Sequence, residues 1–169
     1  MNKVILISGP VGAGKSTVAR QLVSFLPGNV SYIEGDLFWS FIKKPPNPDK
    51  REAFNVIMRA MTAAAIPFAR SGYDVVLDFS IPPFFLETAR KILKEVPLEY
   101  VILQPGMTIC AARAAARPEG TITDYAKYAE FYALFDGFDQ YKISDDKATA
   151  EMLAARILAG LKQGQFKVL

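Results

Sequence analysis

The sequence predicts an α/β protein built on a parallel five-stranded sheet. Short runs of aliphatic and β-branched residues recur along the 169-residue chain, without the polar alternation of a half-exposed strand. Segments of helical length separate these runs. Strands buried on both faces that alternate with helices are typical of a sheet covered by helices on both sides. No repeat, linker or low-complexity segment divides the chain, so we expect one domain over residues 1–169.

Apolar runs place the five expected strands at residues 4–7, 30–33, 74–79, 100–103 and 141–144. Helices are expected over residues 16–25, 37–42, 50–70, 82–95, 108–116, 124–135 and 150–162. Asp49 and Glu52 have capping-box spacing at the start of the third helix, and Thr149 can cap the last one. We expect Pro67 to kink the third helix and Gly72 to end it.

Composition excludes several kinds of chemistry. The sequence has no histidine, which excludes a Ser-His-Asp triad and a histidine-ligated metal. Cys110 is the only cysteine, so no intrachain disulfide forms, which fits a reducing compartment. The net charge of +3 does not indicate a nucleic-acid-binding protein. No signal peptide is evident, and the longest apolar stretch, Met61–Ala69, is far short of the ~20 residues that span a bilayer. We therefore expect a cytoplasmic protein without a membrane partner.

A glycine-rich loop lies between the first expected strand and the first helix. It reads Gly9, Pro10, Val11, Gly12, Ala13, Gly14, Lys15 and Ser16, the complete phosphate-loop pattern G-x-x-x-x-G-K-[ST]. Its glycines let backbone N–H groups turn toward an anion, and the helix N-terminus adds positive potential. Lys15 supplies a charge for the β- and γ-phosphates, and Ser16 a hydroxyl ligand for Mg²⁺. We expect these residues and Thr17 to bind ATP with Mg²⁺; the alternative is an ordinary strand–helix turn.

The phosphate loop and the order of the elements resemble the small P-loop kinases. These include shikimate kinase, gluconate kinase, chloramphenicol phosphotransferase and the polynucleotide 5′-kinase domain, and the resemblance covers nearly the whole chain in element order. It implies the three-layer P-loop NTPase sandwich with strands in the order 2-3-1-4-5. The guanine-binding motif N-K-x-D of GTP switches is absent from the sequence.

Asp36 follows the second expected strand, in Tyr-Ile-Glu-Gly-Asp. The resemblance implies that this acidic residue orients or deprotonates the acceptor hydroxyl, and phosphoryl transfer does require a carboxylate near the nucleophile. The alternative is that Asp36 caps the helix that begins at Leu37. Glu34 ranks lower as a catalytic residue, because strand alternation would turn it to the opposite side.

Asp78 ends the third expected strand after an apolar run, as in a Walker B element that holds a water on Mg²⁺. The alternative is a cap on the turn before Ser80. Arg113 and Arg117 are four residues apart and share a helix face. The resemblance implies that Arg117, at the start of a lid over residues 117–123, reaches the transferring phosphates, and that Arg113 contacts adenine or phosphate. It also places residues 143–146 beside the adenine. Alternatively, both arginines are solvated.

The acceptor side, an insertion over about residues 37–70, departs from the resembled families. The D-x-D start and the G-G-G loop of shikimate kinases are absent. Phe38 and Trp39 stand where polynucleotide kinases carry an arginine, which argues against a nucleic acid as acceptor. An apolar acceptor wall could comprise Leu37, Phe38, Trp39, Phe41, Ile42, Phe84 and Phe85; alternatively, these residues are core. Tyr125, Tyr128, Tyr132 and Phe135 recur at helical spacing and are interpreted as core.

These observations favour an ATP-dependent kinase that phosphorylates a hydroxyl of a small molecule, with Lys15, Asp36 and Arg117 as its catalytic residues. Two alternatives stay open. One is a nucleotide or polynucleotide 5′-kinase, which should show a basic acceptor groove. The other is a regulatory module that binds ATP without turnover. The sequence leaves the acceptor and the oligomeric state open.

Overall fold

The structure, a computed structural model, describes residues 2–44, 50–118 and 120–169. The strands are β1 (Val4–Ser8), β2 (Val30–Glu34), β3 (Asp74–Asp78), β4 (Leu98–Leu103) and β5 (Lys142–Ile143). The α-helices are α1 (Lys15–Phe25), α2 (Lys50–Arg70), α3 (Leu86–Leu93), α4 (Met107–Ala115), α5 (Ala129–Ala133) and α6 (Ala150–Gln163). Short 3₁₀ helices cover Gly35–Phe41, Pro83–Phe85, Tyr125–Tyr128 and Asp139–Tyr141. The Asp49 cap predicted for α2 lies outside the described residues.

The five strands form one parallel sheet in the order β2-β3-β1-β4-β5, which confirms the predicted fold class. Alternate residues of β1 face opposite layers: Val4 and Leu6 pack with α2 and α3, and Ile5 and Ile7 pack with α1, α4 and α6. Both faces of the sheet are therefore buried from solvent, which explains why its strands lack polar alternation. Because all strands run the same way, their carboxyl ends meet at one edge, where the phosphate loop, Asp36 and Asp78 follow.

Two predicted helix ends, the cap at Thr149 and the stop at Gly72, agree with the structure. The Thr149 hydroxyl accepts a hydrogen bond from the Met152 amide at 3.2 Å and so caps α6. Gly72 follows α2 with φ of +91°, a conformation that favours glycine. α2 includes Pro67, and its kink remains a prediction. Among the described helices, none combines the length and the hydropathy of a membrane-spanning segment.

Several predicted elements differ from the structure in their extent. The helix expected over residues 82–95 is the 3₁₀ turn Pro83–Phe85 followed by α3, which ends at Leu93. The expected helix over residues 124–135 is a 3₁₀ turn followed by the short α5, because its tyrosines are held by tertiary contacts: the Tyr125 hydroxyl donates to the Val11 carbonyl at 2.6 Å, and Tyr132 to that of Pro105 at 2.8 Å. The last strand, β5, has only two residues. The C-terminal segment covers the rest of the β4 edge, with the Tyr100 amide donating to the Phe166 carbonyl at 2.8 Å.

Candidate active site

The phosphate loop has a backbone that its glycines alone permit. Gly9, Gly12 and Gly14 have φ of +138°, +82° and +89°. A Cβ atom on Gly9 would lie 2.0 Å from the Leu103 carbonyl oxygen, and one on Gly12 would lie 2.2 Å from that of Cys110. The loop is thus wedged against the end of β4 and against α4. Its concave shape is fixed by rigid backbone neighbours.

We expect Gly12→Ala to lower the free energy of unfolding by about 3 kcal/mol, since it adds a backbone clash to an unfavourable φ. Gly28→Ala is a matched control, because Gly28 has φ of +80° and a methyl group added there would meet nothing within 4 Å. The control should lose only about 1 kcal/mol. Urea unfolding of both variants measures the difference, and equal losses would show that the loop can shift away from Cys110.

The start of α1 suits an anion. Its first turn holds no acidic residue, and no side chain caps it, so backbone N–H groups and the positive end of the helix dipole face the loop. The Lys15 side chain is partly buried there, and its Nζ donates a hydrogen bond to the Pro10 carbonyl at 3.0 Å. This set of donors fits the phosphates of ATP.

Burial lowers the pKa of Lys15 to about 8, against a partial opposing effect of the Asp78 and Asp36 carboxylates. Arg117 adds to the lowering, so all four charged groups act on one another in the same place. A triphosphate would add negative charge next to the ammonium group beyond that of the two carboxylates. Occupation of the loop should therefore return the Lys15 pKa toward its ordinary value.

The lowered pKa predicts that ATP binding weakens above pH 8. The empty protein loses the Lys15 proton near that pH, whereas the complex keeps it, so the Kd for ATP should rise by about tenfold per pH unit. The sign is opposite for the free energy of unfolding of the empty protein, which should increase from pH 8 to 10, because the unfolded chain still holds the proton. Calorimetry in EDTA at pH 7.5–9.5 measures both the Kd and the proton uptake. A Kd that stays flat across this range would contradict the prediction.

A cavity of about 800 Å³, here called the phosphate cavity, opens over the loop. It is lined by Gly12, Gly14, Lys15, Ser16, Thr17, Arg20, Glu34, Asp36, Asp78, Phe79, Ser80, Arg113, Arg117 and Pro118. Lys15, Ser16, Asp36, Asp78, Arg113 and Arg117, predicted from distant parts of the sequence, thus line one space. The expectation that Glu34 points away is wrong, because Glu34 lines the phosphate cavity together with Asp36. Strand alternation gives no reason to separate them, since residues two apart face the same side of a strand.

Asp36 lies within the first turn of the 3₁₀ helix Gly35–Phe41, whose N-cap is Glu34. That helix start has no side-chain cap hydrogen bond, so the alternative in which Asp36 serves as its N-cap is wrong. Its side chain is exposed to the cavity. The carboxylate is therefore open to a substrate.

Asp78 is almost fully buried, with 3% of its surface exposed. The Tyr32 hydroxyl donates a hydrogen bond to its Oδ2 at 3.0 Å, and burial together with this carboxylate raises the pKa of Tyr32. The Arg20 guanidinium lies 6.0 Å from the centre of the Tyr32 ring and pairs with Glu34 at 3.2 Å. Sequence reasoning missed Tyr32 and Arg20, since neither belongs to a local motif.

Oxygen ligands for Mg²⁺ line the phosphate cavity at Ser16, Asp36 and Asp78. Within residues 2–44, 50–118 and 120–169, no cluster of three or more acidic or cysteine residues could hold a metal ion unaided. Mg²⁺ commonly binds one or two protein oxygens together with substrate phosphates and water. The donor set fits that kind of site.

The expectation that Arg113 and Arg117 share a helix face is wrong, because α4 ends at Ala115 and Arg117 lies beyond it. Both side chains line the phosphate cavity, but their other contacts differ. Arg113 donates from Nη1 to the Ala13 carbonyl at 3.4 Å and lines a smaller cavity of about 250 Å³. That cavity is lined by Ala13, Gly14, Thr17, Val18, Arg113, Ala148, Ala150 and Leu153. The Asp145 carboxylate accepts hydrogen bonds from the amides of Lys147 and Ala148 and so shapes the loop beside it. Arg117 instead reaches a second large cavity.

This second cavity, here called the aromatic cavity, measures about 770 Å³. It is lined by Val11, Lys15, Asp36, Trp39, Arg51, Phe54, Phe79, Ser80, Arg117, Ile122, Lys127, Tyr128 and Phe131. Lys15, Asp36 and Arg117 line both large cavities. The Ser8 hydroxyl donates to the Ile81 carbonyl at 2.7 Å and accepts from the Ile81 amide at 2.9 Å, which fixes the segment holding the shared Phe79 and Ser80.

Of the residues that could form an acceptor wall, only Trp39 lines the aromatic cavity, and the alternative in which they are core holds for several of the others. Phe85 is core, Phe38 and Ile42 pack against it, and Leu37, Phe41 and Phe84 are exposed outside the cavity. The reason is the 3₁₀ geometry of this segment, in which residues three apart share a face, so that Trp39 lies on the same face as Asp36. Of the tyrosines interpreted as core, Tyr125 is buried but Tyr128 lines the cavity.

Comparisons with known proteins identify a family and a set of similar folds. The model of a protein family described as AAA domain matches residues 4–138. No curated protein matches the sequence significantly.

Three solved structures illustrate the structural likeness. The tunicamycin resistance protein of Deinococcus radiodurans has a TM-score of 0.75 at 18% identity, over 95% of this chain and 96% of its own. The APS kinase of Mycobacterium tuberculosis, in complex with AMPPNP and APS, has a TM-score of 0.70 at 21% identity, over 95% and 98%. Shikimate kinase from Acinetobacter baumannii, in complex with shikimate, has a TM-score of 0.65 at 20% identity, over 97% and 95%. The predicted resemblance to small P-loop kinases is confirmed at the level of the fold.

Proposed function

The chain belongs to the AAA domain family, and we propose that it is an ATP-dependent kinase that transfers the γ-phosphate to a hydroxyl of a small molecule. The observation that carries this proposal is the meeting of two cavities at Lys15, Asp36 and Arg117. One cavity has the phosphate loop as its base, and the other is lined by aromatic side chains. A phosphate donor and an acceptor could each occupy one of them, with these three side chains between them.

The phosphate loop would hold the triphosphate through the N–H groups at the start of α1 and through the Lys15 ammonium group. Mg²⁺, bound by the Ser16 hydroxyl and through water by Asp78, would supply charge neutralisation between the phosphates. The Tyr32 hydroxyl occupies Oδ2 of Asp78 and so fixes the orientation of that carboxylate. Arg113 would contact the nucleotide where the phosphate cavity adjoins the smaller cavity.

Asp36 would accept a hydrogen bond from the acceptor hydroxyl and orient its oxygen toward the γ-phosphorus. It would take the hydroxyl proton as the new P–O bond forms, while the bond from the γ-phosphorus to the bridging oxygen breaks and ADP leaves with that electron pair. Arg117, which lines both cavities, would offset the negative charge on the transferring group. The lid over residues 117–123 would close over ATP and keep water from competing as acceptor. A cytoplasmic location, which supplies ATP and Mg²⁺, suits this chemistry and the single buried Cys110.

The test is release of ADP from ATP and Mg²⁺ across an acceptor panel. The panel contains hydroxylated aromatics and antibiotics, sugars, sugar acids, nucleosides and 5′-hydroxyl oligonucleotides. We expect one class of small molecule to stimulate ADP release strongly, and Lys15→Ala to abolish that stimulation. Stimulation by oligonucleotides alone would favour a polynucleotide kinase. ATP binding with a flat panel would favour a regulatory module, and absence of ATP binding would refute the proposal.

A further inference from the structure

The aromatic cavity is organised around Phe54 of α2. Its ring stacks on Trp39 with centroids 6.5 Å apart and an interplanar angle of 20°. Phe79 lies 5.3 Å and Phe131 6.4 Å from the Phe54 centroid. These aromatic neighbours hold Phe54 in a preformed cluster that lines a cavity large enough for a small organic molecule. Rigid aromatic walls favour a flat aromatic ligand, which can stack on one ring and meet another edge-on.

The charges around this cavity are mostly positive. Among residues 2–44, 50–118 and 120–169, the cations that line it are Lys15, Arg51, Arg117 and Lys127, and Asp36 supplies the one carboxylate. Lys15 and Arg117 also line the phosphate cavity, where ATP would engage them.

Arg51 is a cation that lines the aromatic cavity and not the phosphate cavity, and it lies three residues before Phe54 on α2. Residues three apart share a helix face, so α2 presents an aromatic ring and a guanidinium group to the same ligand. A guanidinium group pairs with planar carboxylates and with phosphates through two parallel hydrogen bonds. The composition of this wall therefore fits a ligand with an aromatic body and an acid group.

We propose that the phosphate acceptor is a flat aromatic compound that carries an acid group in addition to its hydroxyl. The aromatic body would stack within the Trp39–Phe54 cluster, and the acid group would pair with Arg51. The hydroxyl would then point toward Asp36, at the end of the cavity shared with the phosphate side. The role of this ligand as a phosphate acceptor rests on the proposed kinase function, but its preferential binding to the aromatic cavity does not depend on turnover. Two sources share this chemistry, an aromatic carboxylic acid and a mononucleotide.

Trp39 makes the binding preference measurable without catalysis, because it is the only tryptophan of the chain and lines the cavity. Three matched probes separate the contributions: 4-(hydroxymethyl)benzoate, its neutral amide, and 4-(hydroxymethyl)cyclohexanecarboxylate. Titrations are followed by fluorescence excited at the red edge of tryptophan absorption. We expect the Kd of the aromatic acid to be about tenfold lower than that of either analogue, since each analogue lacks one of two favourable contacts. Adenosine 3′-monophosphate compared with adenosine tests the mononucleotide source in the same way.

Arg51→Gln should remove the preference for the acid over the amide and leave the preference for the aromatic ring. Arg59→Gln is the matched control, an exposed arginine on α2 that does not line the cavity. Equal affinities for acid and amide in the wild type, or an unchanged preference in Arg51→Gln, would overturn the proposal. So would absence of any fluorescence change with every aromatic acid. A clear preference without phosphate transfer in the ADP assay would support this inference and refute the kinase function instead.

Discussion

Replacing Asp36 with asparagine should lower kcat by about 100-fold while the Kd for ATP changes by less than about twofold. The substitution keeps the size of the side chain and its place in the first 3₁₀ turn, but removes the group that can take a proton. Asp36 is exposed at the junction of the two cavities and makes no helix cap, so its carboxylate is available to a substrate. Steady-state ADP release with the best acceptor measures kcat, and calorimetry measures the Kd.

Glu34→Gln is the matched control, because Glu34 lines the phosphate cavity but not the aromatic cavity. Its carboxylate pairs with Arg20 at 3.2 Å, so its loss should affect kcat by less than about tenfold. If Asp36→Asn retains full turnover, Asp36 neither orients nor deprotonates the acceptor. If Glu34→Gln has the larger effect on kcat, the carboxylate that acts on the hydroxyl is Glu34.

Most elements of this fold could be predicted because each strand and helix is recognisable from its own short stretch of sequence. A strand buried on both faces must be apolar at every position, as Val4–Ile7 is, and this is visible without knowledge of its neighbours. The strand order was implied by the resemblance to small P-loop kinases, because the sequence of a strand does not indicate which other strands it pairs with. The segment at Phe166 was missed for the same reason: its hydrogen bond to Tyr100 joins residues far apart in sequence.

The phosphate side of the candidate site could be predicted from the sequence, whereas the aromatic cavity could not. The phosphate loop is one contiguous motif whose glycine spacing follows from its backbone angles, and Asp36 and Asp78 stand at or just after the ends of strands. The aromatic cavity is instead assembled from distant elements, with Phe54 on α2 and Phe131 on α5. The sequence around either phenylalanine does not distinguish it from a phenylalanine of the core.

Helix type accounts for the rest of the error on the acceptor side. The segment after Asp36 was expected to be a short helix whose aromatic residues together form a wall. Three residues per turn instead put Trp39 in register with Asp36, while Phe38 and Phe41 contact each other with ring centroids 5.4 Å apart on another face. The aromatic composition of the segment alone could not distinguish these two arrangements.

Arg117→Ala should lower kcat by about 1000-fold, the scale expected when a cation that offsets charge on a transferring phosphate is lost. Arg117 lines both large cavities, and its charge contributes to the lowered pKa of Lys15, so it lies close to the place where the phosphate would move. It is exposed, and its removal should leave the free energy of unfolding nearly unchanged. Single-turnover transfer to the best acceptor, with saturating ATP, measures the chemical step.

Arg113→Ala is the control that separates a specific effect of Arg117 on kcat from a general loss of positive charge. Arg113 touches the Ala13 carbonyl and lines the smaller cavity beside the loop, but it does not line the aromatic cavity. Its loss should therefore raise the Kd for ATP by about tenfold and reduce the single-turnover rate far less than Arg117→Ala does. Arg113 lies on α4 and Arg117 lies two residues beyond its end at Ala115, but both side chains line the phosphate cavity, so a general loss of positive charge would affect both rates alike. Equal reductions in rate would contradict a specific role for Arg117, whereas a split between rate and affinity would place it on the transferring phosphate.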